Sequence, residues 1–335
     1  MKRPTPNKGK PFLSRTCLLA LACLPWSQSN AQHVLNLLVE NDVFTGTDRH
    51  YTSGVMLNYI SGIEDGPKRL RDWGIRFPGV NPDDEMHVSV SLGHEIYTPT
   101  DISTRTLLER DRPYAGHAFL ATGFSTANHK EVETWQFSTG VVGPAAKGEY
   151  IQNTIHDAIE SEQALGWDNQ LENEWVFSLA YEKKWLNRAW TRSLTTNIEV
   201  DLIPHVNAAI GTLHNYAGLG GMLRVGQGLQ TDHGPPKVRP SMPDSQFFAA
   251  LDHHTWYLFL GVDGRYVATN IFLDGNNFAS SHAVDREDWV SDLQAGFVWT
   301  NRRVRVGYTY VLRSREFKQQ QERDIFGSLT FSVHF

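Results

Sequence analysis

The chain has 335 residues, 31 of them basic and 37 acidic, for a net charge of −6 with histidine neutral. That balance is the wrong sign for a nucleic-acid binder, whose affinity rests on neutralising phosphates. Two cysteines are too few for a disulfide framework. No apolar run past the leader approaches the roughly 20 residues of a spanning helix.

The chain opens on a basic leader, Lys2, Arg3, Lys8, Lys10 and Arg15, followed by a short apolar core from Cys17 to Leu24 and the small-residue site Ser29-Asn30-Ala31. This order predicts a secretory signal peptide over residues 1–31, with a mature region 32–335. Both cysteines, Cys17 and Cys23, fall inside it, so neither disulfides nor thiolate chemistry would serve the mature chain. Cleavage before Cys23, as in a lipoprotein, is the alternative, but Ala20 stands where a lipobox usually has leucine. Without the leader there remain 26 basic against 37 acidic side chains, a net of −11. Contact with an anionic lipid surface would then need cations or local basic residues.

Beyond the leader, a period of two dominates. Trp135, Phe137, Thr139 and Val141 share one face; so do Leu293, Ala295, Phe297 and Trp299, and Val304, Val306, Tyr308, Tyr310 and Leu312. Candidate strands lie near 33–42, 51–61, 86–97, 114–126, 132–143, 173–187, 194–209, 214–226, 254–272, 288–299, 303–314 and 324–335. The last, "IFGSLTFSVHF", aligns Leu329, Phe331, Val333 and the terminal Phe335, resembling the carboxy-terminal signature of bacterial outer-membrane barrels. A secreted β-sandwich also alternates. Strands long enough for the about 9–11 residues of a tilted bilayer crossing, aromatic strand ends and a chain that ends on a strand favour a barrel. The prediction is an all-β, 12-stranded antiparallel transmembrane barrel in the outer membrane of a Gram-negative bacterium. The Gly/Pro-rich piece from Gly226 to Gln246 reads as a loop.

Strand parity then gathers chemistry at one mouth. If the first strand runs outward from the periplasm, the end at Glu40, Asn41 and Asp42, the start near Thr52, the loop between Tyr97 and Tyr114, and the insertion at 143–172 all lie at the outer rim. The insertion holds the one clear helix, near 147–165, with Ile151, Ile155 and Ile159 on a stripe. Gln152 and His156, four residues apart, share a neighbouring face. The isoleucines are expected to pack on the barrel wall and the Gln152–His156 pair to face the rim.

"ENDVF" followed by "DRHYTSG", "GHEIYTPT" at Gly93 to Thr100, "DRPYAG" at Asp111 to Gly116, and "GVVGPAAKGEYIQNTIHDAI" running into "GWDNQLENE" resemble, in this order, the lipid A 3′-O-deacylases of the outer membrane. The resemblance implies a twelve-stranded barrel that uses calcium to remove the 3′-linked acyloxyacyl chain of lipid A in the outer leaflet. It carries functional roles onto Asn41, Asp42, Thr52, Gln152 and His156. The family can carry a lysine in the loop after the "YTPT"-type segment; here no lysine lies between Tyr97 and Tyr114. Arg105, Arg110 or Arg112 stands as the candidate phosphate contact, although guanidinium and ammonium are not interchangeable.

For ester hydrolysis, His156 is the natural base, since an ordinary imidazole titrates near ~6.5. Asp42, with Glu40, is the natural ligand of calcium, which takes oxygen donors. Asn41 and Thr52 would hold the substrate or its oxyanion. Ser53 as nucleophile is a rival, without any G-x-S-x-G elbow to support it. Zinc is a weaker fit: His253 and His254 are adjacent and point to opposite sides of a strand. Asp111 and Arg112 have a plain reading as a loop ion pair, Trp167 and Trp175 as members of the outer aromatic girdle, and one of His94 and Glu95 is expected to face the lumen. The competing functions are a passive barrel, as a small porin or structural protein, and an outer-membrane phospholipase. A monomer is expected, with lipid A or lipopolysaccharide as partner.

Overall fold

A computed structural model of the protein describes residues 33–42, 50–62, 84–186, 190–234 and 254–335, with isolated positions between 72 and 80. They belong to one compact unit, Ala31–Phe335. The leader with Cys17 and Cys23, and His253 with the rest of 235–253, lie outside the described residues.

Twelve long strands close into an antiparallel barrel: β1 (Val34–Asn41), β2 (His50–Ile60), β3 (Glu85–Thr98), β4 (Ala115–Ala127), β5 (Glu131–Val142), β6 (Glu174–Trp185), β8 (Glu199–Gly211), β9 (His214–Gln227), β10 (His254–Asn270), β11 (Trp289–Asn301), β12 (Val304–Arg313) and β13 (Asp324–His334). The two-residue β7, Arg192–Ser193, is a ribbon on the foot of β8, and β6 pairs with β8 directly. The seam joins β1 to β13, with Val34 opposite His334 and Asn41 opposite Gly327. Closure leaves no edge of unpaired backbone, the condition for crossing hydrocarbon with strands.

The expected strand at 194 begins instead at Glu199. The Thr195 hydroxyl accepts from the backbone N–H of Asn197 and Ile198, holding 194–198 in a turn. The helix is shorter than expected, Gly148–Ile159, because Glu160 takes the left-handed conformation at φ 58° and its N–H returns to the His156 carbonyl.

Alternation sets the two faces. On β11, Leu293 and Phe297 are exposed and Asp292 and Gln294 buried; on β13, Leu329 and Phe331 are exposed and Ser328, Thr330 and Ser332 buried. The outward apolar side chains form the lipid-facing belt. The lumen is filled by ion pairs, Arg224–Asp201 at 2.5 Å, Arg305–Asp232 and Arg265–Asp292 at 2.8 Å and Arg313–Asp292 at 2.9 Å, and by the His205–Asp263 hydrogen bond at 2.6 Å. Such pairing is what permits charge inside a protein. Near the periplasmic end, Arg224 also donates to the carbonyls of Leu229 and Asp232, which ties the turn after β9 into the barrel. Toward the outer end Tyr51, Tyr97, Phe326 and Phe272 form an apolar plug, with the Tyr97 and Phe272 rings stacked at 4.1 Å. Phe272 comes from a one-turn helix, Ile271–Asp274, capped by the Asn270 side chain.

Candidate active site

At the outer end of β1, alternation sends Asn41 to the outward face, opposite Ser53, and Glu40 to the lumen beside Tyr51. Glu40 is 3% exposed. Asp42, directly after the strand, is 1% exposed.

Thr52 owes its position to a β-bulge. Tyr51 pairs with Tyr97 but Ser53 pairs with Ile96, so Thr52 is the extra residue of β2. A bulge re-aims a side chain relative to its strand; the Thr52 hydroxyl meets the Thr98 hydroxyl at 2.7 Å.

The insertion folds back over the outer wall of β3 and β4. Gly143, at φ 101°, donates its N–H to the Gly116 carbonyl, and the following turn offers the Ala146 carbonyl to the His94 ring at 2.8 Å. Helix and wall meet at two glycines: a Cβ on Gly148 would lie 2.5 Å from the Trp167 ring and 3.0 Å from the Gly116 Cα. This contact turns Gln152 and His156 toward the barrel, where both are buried. Trp167 donates its indole N–H to Gln152 Oε1 at 2.9 Å and packs on Tyr114, in a cluster with Ile96, Ile102 and Ala164. Gln152 Nε2 has no hydrogen-bond partner among the described residues.

His156 Nδ1 is bonded to the Glu162 carbonyl. A carbonyl only accepts, so Nδ1 carries the hydrogen and Nε2 is the accepting nitrogen of the neutral ring. The strap supplying that carbonyl is pinned by Asn153, whose amide accepts from Ala164 N at 3.0 Å and donates to Ala164 O at 3.3 Å.

The structure therefore sets Asn41, Asp42, Thr52, Gln152 and His156 at the same mouth. A chain of contacts links the two groups: Thr52 to Thr98 at the end of β3, Ile96 two residues earlier to Trp167, and Trp167 to Gln152. Thr98, Trp167, Asn153 and Glu162 were not singled out as site residues. Trp167 carried a signal, in a Gly-Trp loop following a helix with an inward amide. Glu162 acts through its backbone and left none.

Several expectations are corrected. Of the three isoleucines only Ile151 packs, partly buried, on the cluster that includes Ile96 of the wall, while Ile155 is 45% and Ile159 55% exposed. Trp167, itself part of the insertion, is buried against the helix, whereas Trp175, 75% exposed, fits the girdle. Asp111 does not serve as the ion-pair partner of Arg112. Its carboxylate accepts backbone N–H groups of Thr100 and Arg112, while the Arg112 guanidinium lies over the Tyr97 ring and pairs with Glu316 at 3.4 Å. Arg112 is 1% exposed, whereas Arg105 and Arg110 are exposed. Burial pushes the Glu316 carboxyl up, but Arg313 and Arg112 outweigh it and hold it below the usual carboxylate range. As expected, Glu95 faces the lumen, paired with His117 at 3.1 Å, and His94 lies on the other face.

The donors available to a cation at the rim are all oxygens: the Asp42 carboxylate, the Asn41 amide oxygen, the Thr52 hydroxyl and main-chain carbonyls. Such a set fits a hard cation such as calcium, which accepts neutral oxygens and water. Zinc prefers several nitrogen, sulfur or carboxylate ligands, and no group of three His, Cys, Asp or Glu suited to a metal occurs among the described residues.

A closed twelve-stranded antiparallel barrel with an outward apolar belt defines a membrane-spanning β-barrel. Residues 13–335 match the family model of outer membrane protein LpxR. The chain belongs to that family, the outer-membrane lipid A deacylases that its rim motifs resemble. LpxR from Salmonella typhimurium has a similar structure, with a TM-score of 0.73 over 90% of this chain and 100% of that one, at 20% identity, a likeness that establishes the fold. The Bordetella autotransporter BrkA β domain (TM-score 0.42, 8% identity, 91% of this chain and 98% of that one) and the KdgM porin (0.35, 6%, 90% and 99%) also align, too loosely to carry an argument. No curated protein matches the sequence.

Proposed function

We propose that the protein is a calcium-dependent carboxylic ester hydrolase that removes the 3′-linked acyloxyacyl chain of lipid A in the outer leaflet. The observation that carries this reading is the buried His156 imidazole, oriented by a backbone carbonyl at the mouth that also holds Asn41, Asp42 and Thr52. His156 Nε2 takes a proton from a water as its oxygen bonds to the ester carbonyl carbon. The tetrahedral species then breaks its bond to the sugar oxygen, which receives the proton from His156, releasing the acyloxyacyl chain as a carboxylic acid. Gln152 Nε2, the Asn41 amide and the Thr52 hydroxyl supply donors for the developing oxyanion. Calcium held by Asp42 with Asn41 and backbone oxygens would polarise the ester carbonyl. Exposed Arg105 or Arg110 would meet a phosphate.

The lumen, crossed by ion pairs and plugged by Phe272, argues against a passive pore. Mass spectrometry of lipid A from cells making the protein tests the reading. Loss of one acyloxyacyl group is expected, dependent on calcium and abolished in Asp42→Ala and His156→Ala. Unchanged lipid A beside well-folded protein would overturn it, and fatty-acid release from phosphatidylethanolamine instead would assign a phospholipase.

A further inference from the structure

The rim helix has three unlike sides. At roughly 100° per residue, Gln152 and His156 form the side turned to the barrel. Glu149, Asn153, Asp157 and Glu160 run down one flank, Ile151, Ile155 and Ile159 down the other. The polar flank is covered by segments of the outer mouth: Asn153 holds the Ala164 backbone, Asp157 accepts from Gln163 at 2.8 Å, and Leu165 N–H bonds to the Ile102 carbonyl of the loop after β3. That flank therefore faces away from the membrane. On the isoleucine flank, Ile151 packs on the cluster of Ile96, Ile102, Tyr114 and Trp167, while Ile155 and Ile159 stay exposed beside the wall of β3 and β4. There Ile96, opposite Gly116, is covered by the insertion. Four residues lower, about 13 Å along the strand, Leu92 and Leu120 stand opposite each other and fully in the exposed belt.

A soluble helix hides its apolar stripe and shows its amide and imidazole; this one does the reverse. Exposing Ile155 and Ile159 to water would forfeit roughly 25 cal/mol for each Å² of apolar surface, whereas hydrocarbon removes that cost. We infer that the isoleucine flank is immersed in the acyl layer of the outer leaflet, continuous with the Leu92–Leu120 belt, so that the helix rides at the hydrocarbon boundary with its polar flank toward water. An acyl ester then approaches Gln152 and His156 from the hydrocarbon side. The inference concerns where the helix sits and stands whether or not the site hydrolyses lipid A.

The test is accessibility of single nitroxide labels on the folded protein in lipid vesicles. Residues 32–335 contain no cysteine, so Ile155→Cys, Ile159→Cys, Glu149→Cys and Asp157→Cys each give one labelling site, with barrel folding checked by heat-modifiable gel mobility. Labels at 155 and 159 are expected to favour dissolved oxygen over a water-soluble nickel chelate several-fold more than labels at 149 and 157. Equal ratios on the two flanks, or nickel-favoured ratios at 155 and 159, would overturn the inference. Two positions per flank keep the comparison readable if one variant fails to fold.

Discussion

His117 and His156 are both buried histidines near the outer mouth, on opposite faces of the same wall. His117 is buried by alternation alone: it faces the lumen because β4 does, and it meets Glu95 from the next strand. His156 is buried by an insertion folded back on the outer surface, bonded to a backbone carbonyl and bordered by an exposed apolar flank. Equal burial thus has two causes. The first gives a hydrogen-bonded pair that fills a lumen; the second gives the base of the proposed mechanism.

The largest expected effect separates these two residues. His156→Ala should lower the deacylation rate by about 10²–10⁴-fold, the usual contribution of a general base, with an intact barrel. His117→Ala should leave that rate nearly unchanged but cost about 1–3 kcal/mol of stability, because Glu95 loses its buried partner. Lipid A time courses and urea unfolding from vesicles read the two outcomes. If both variants lost only stability, the functional distinction would vanish.

Gly148→Val probes the docking that creates the outer face. With a Cβ 2.5 Å from Trp167, the helix must shift, and a shift of about 1 Å at a catalytic group costs on the order of 100-fold. Activity should fall by that order while heat-modifiable mobility stays that of a closed barrel. Trp167→Phe is gentler: it removes the donor to Gln152 Oε1, and a lost buried hydrogen bond of about 1–3 kcal/mol should appear as a roughly tenfold or greater fall in kcat/KM. Retention of full kcat/KM would show that Gln152 needs no such support.

The smallest effect lies at the far end. Burial, with Lys184 and Arg224 nearby, lowers the His233 pKa to about 3. The unfolded chain, near the ordinary ~6.5, takes up its proton first, so this stabilisation is present at neutral pH and lost as pH falls from about 6.5 toward 3. His233→Gln should flatten that part of the stability profile without changing activity at pH 7. An unchanged slope between pH 6.5 and 3 would count against the assignment.

The twelve barrel strands were legible because side-chain period and the demand for a closed edge act locally and strongly. Which mouth held Asn41, Asp42, Thr52, Gln152 and His156 followed from parity alone. Less legible was everything that depends on the solvent outside. The isoleucine stripe was read as a core-facing surface because in water it would be one, and Trp167 was read as a girdle residue although its indole N–H had a buried amide to meet. The Thr52 bulge left no trace in hydrophobic pattern, since it shifts register by a single residue. Glu162 contributes only a carbonyl, which every residue has.

The strand that ends in Asn41, with Asp42 just beyond it, is also the strand that closes the barrel against β13. Asn41 sits between Ser53 and Gly327, so its location is fixed only when β13 has joined β1. A chain with that junction still open has no fixed place for these side chains. The chemistry proposed for them would thus await closure of the cylinder, sparing lipids met before it.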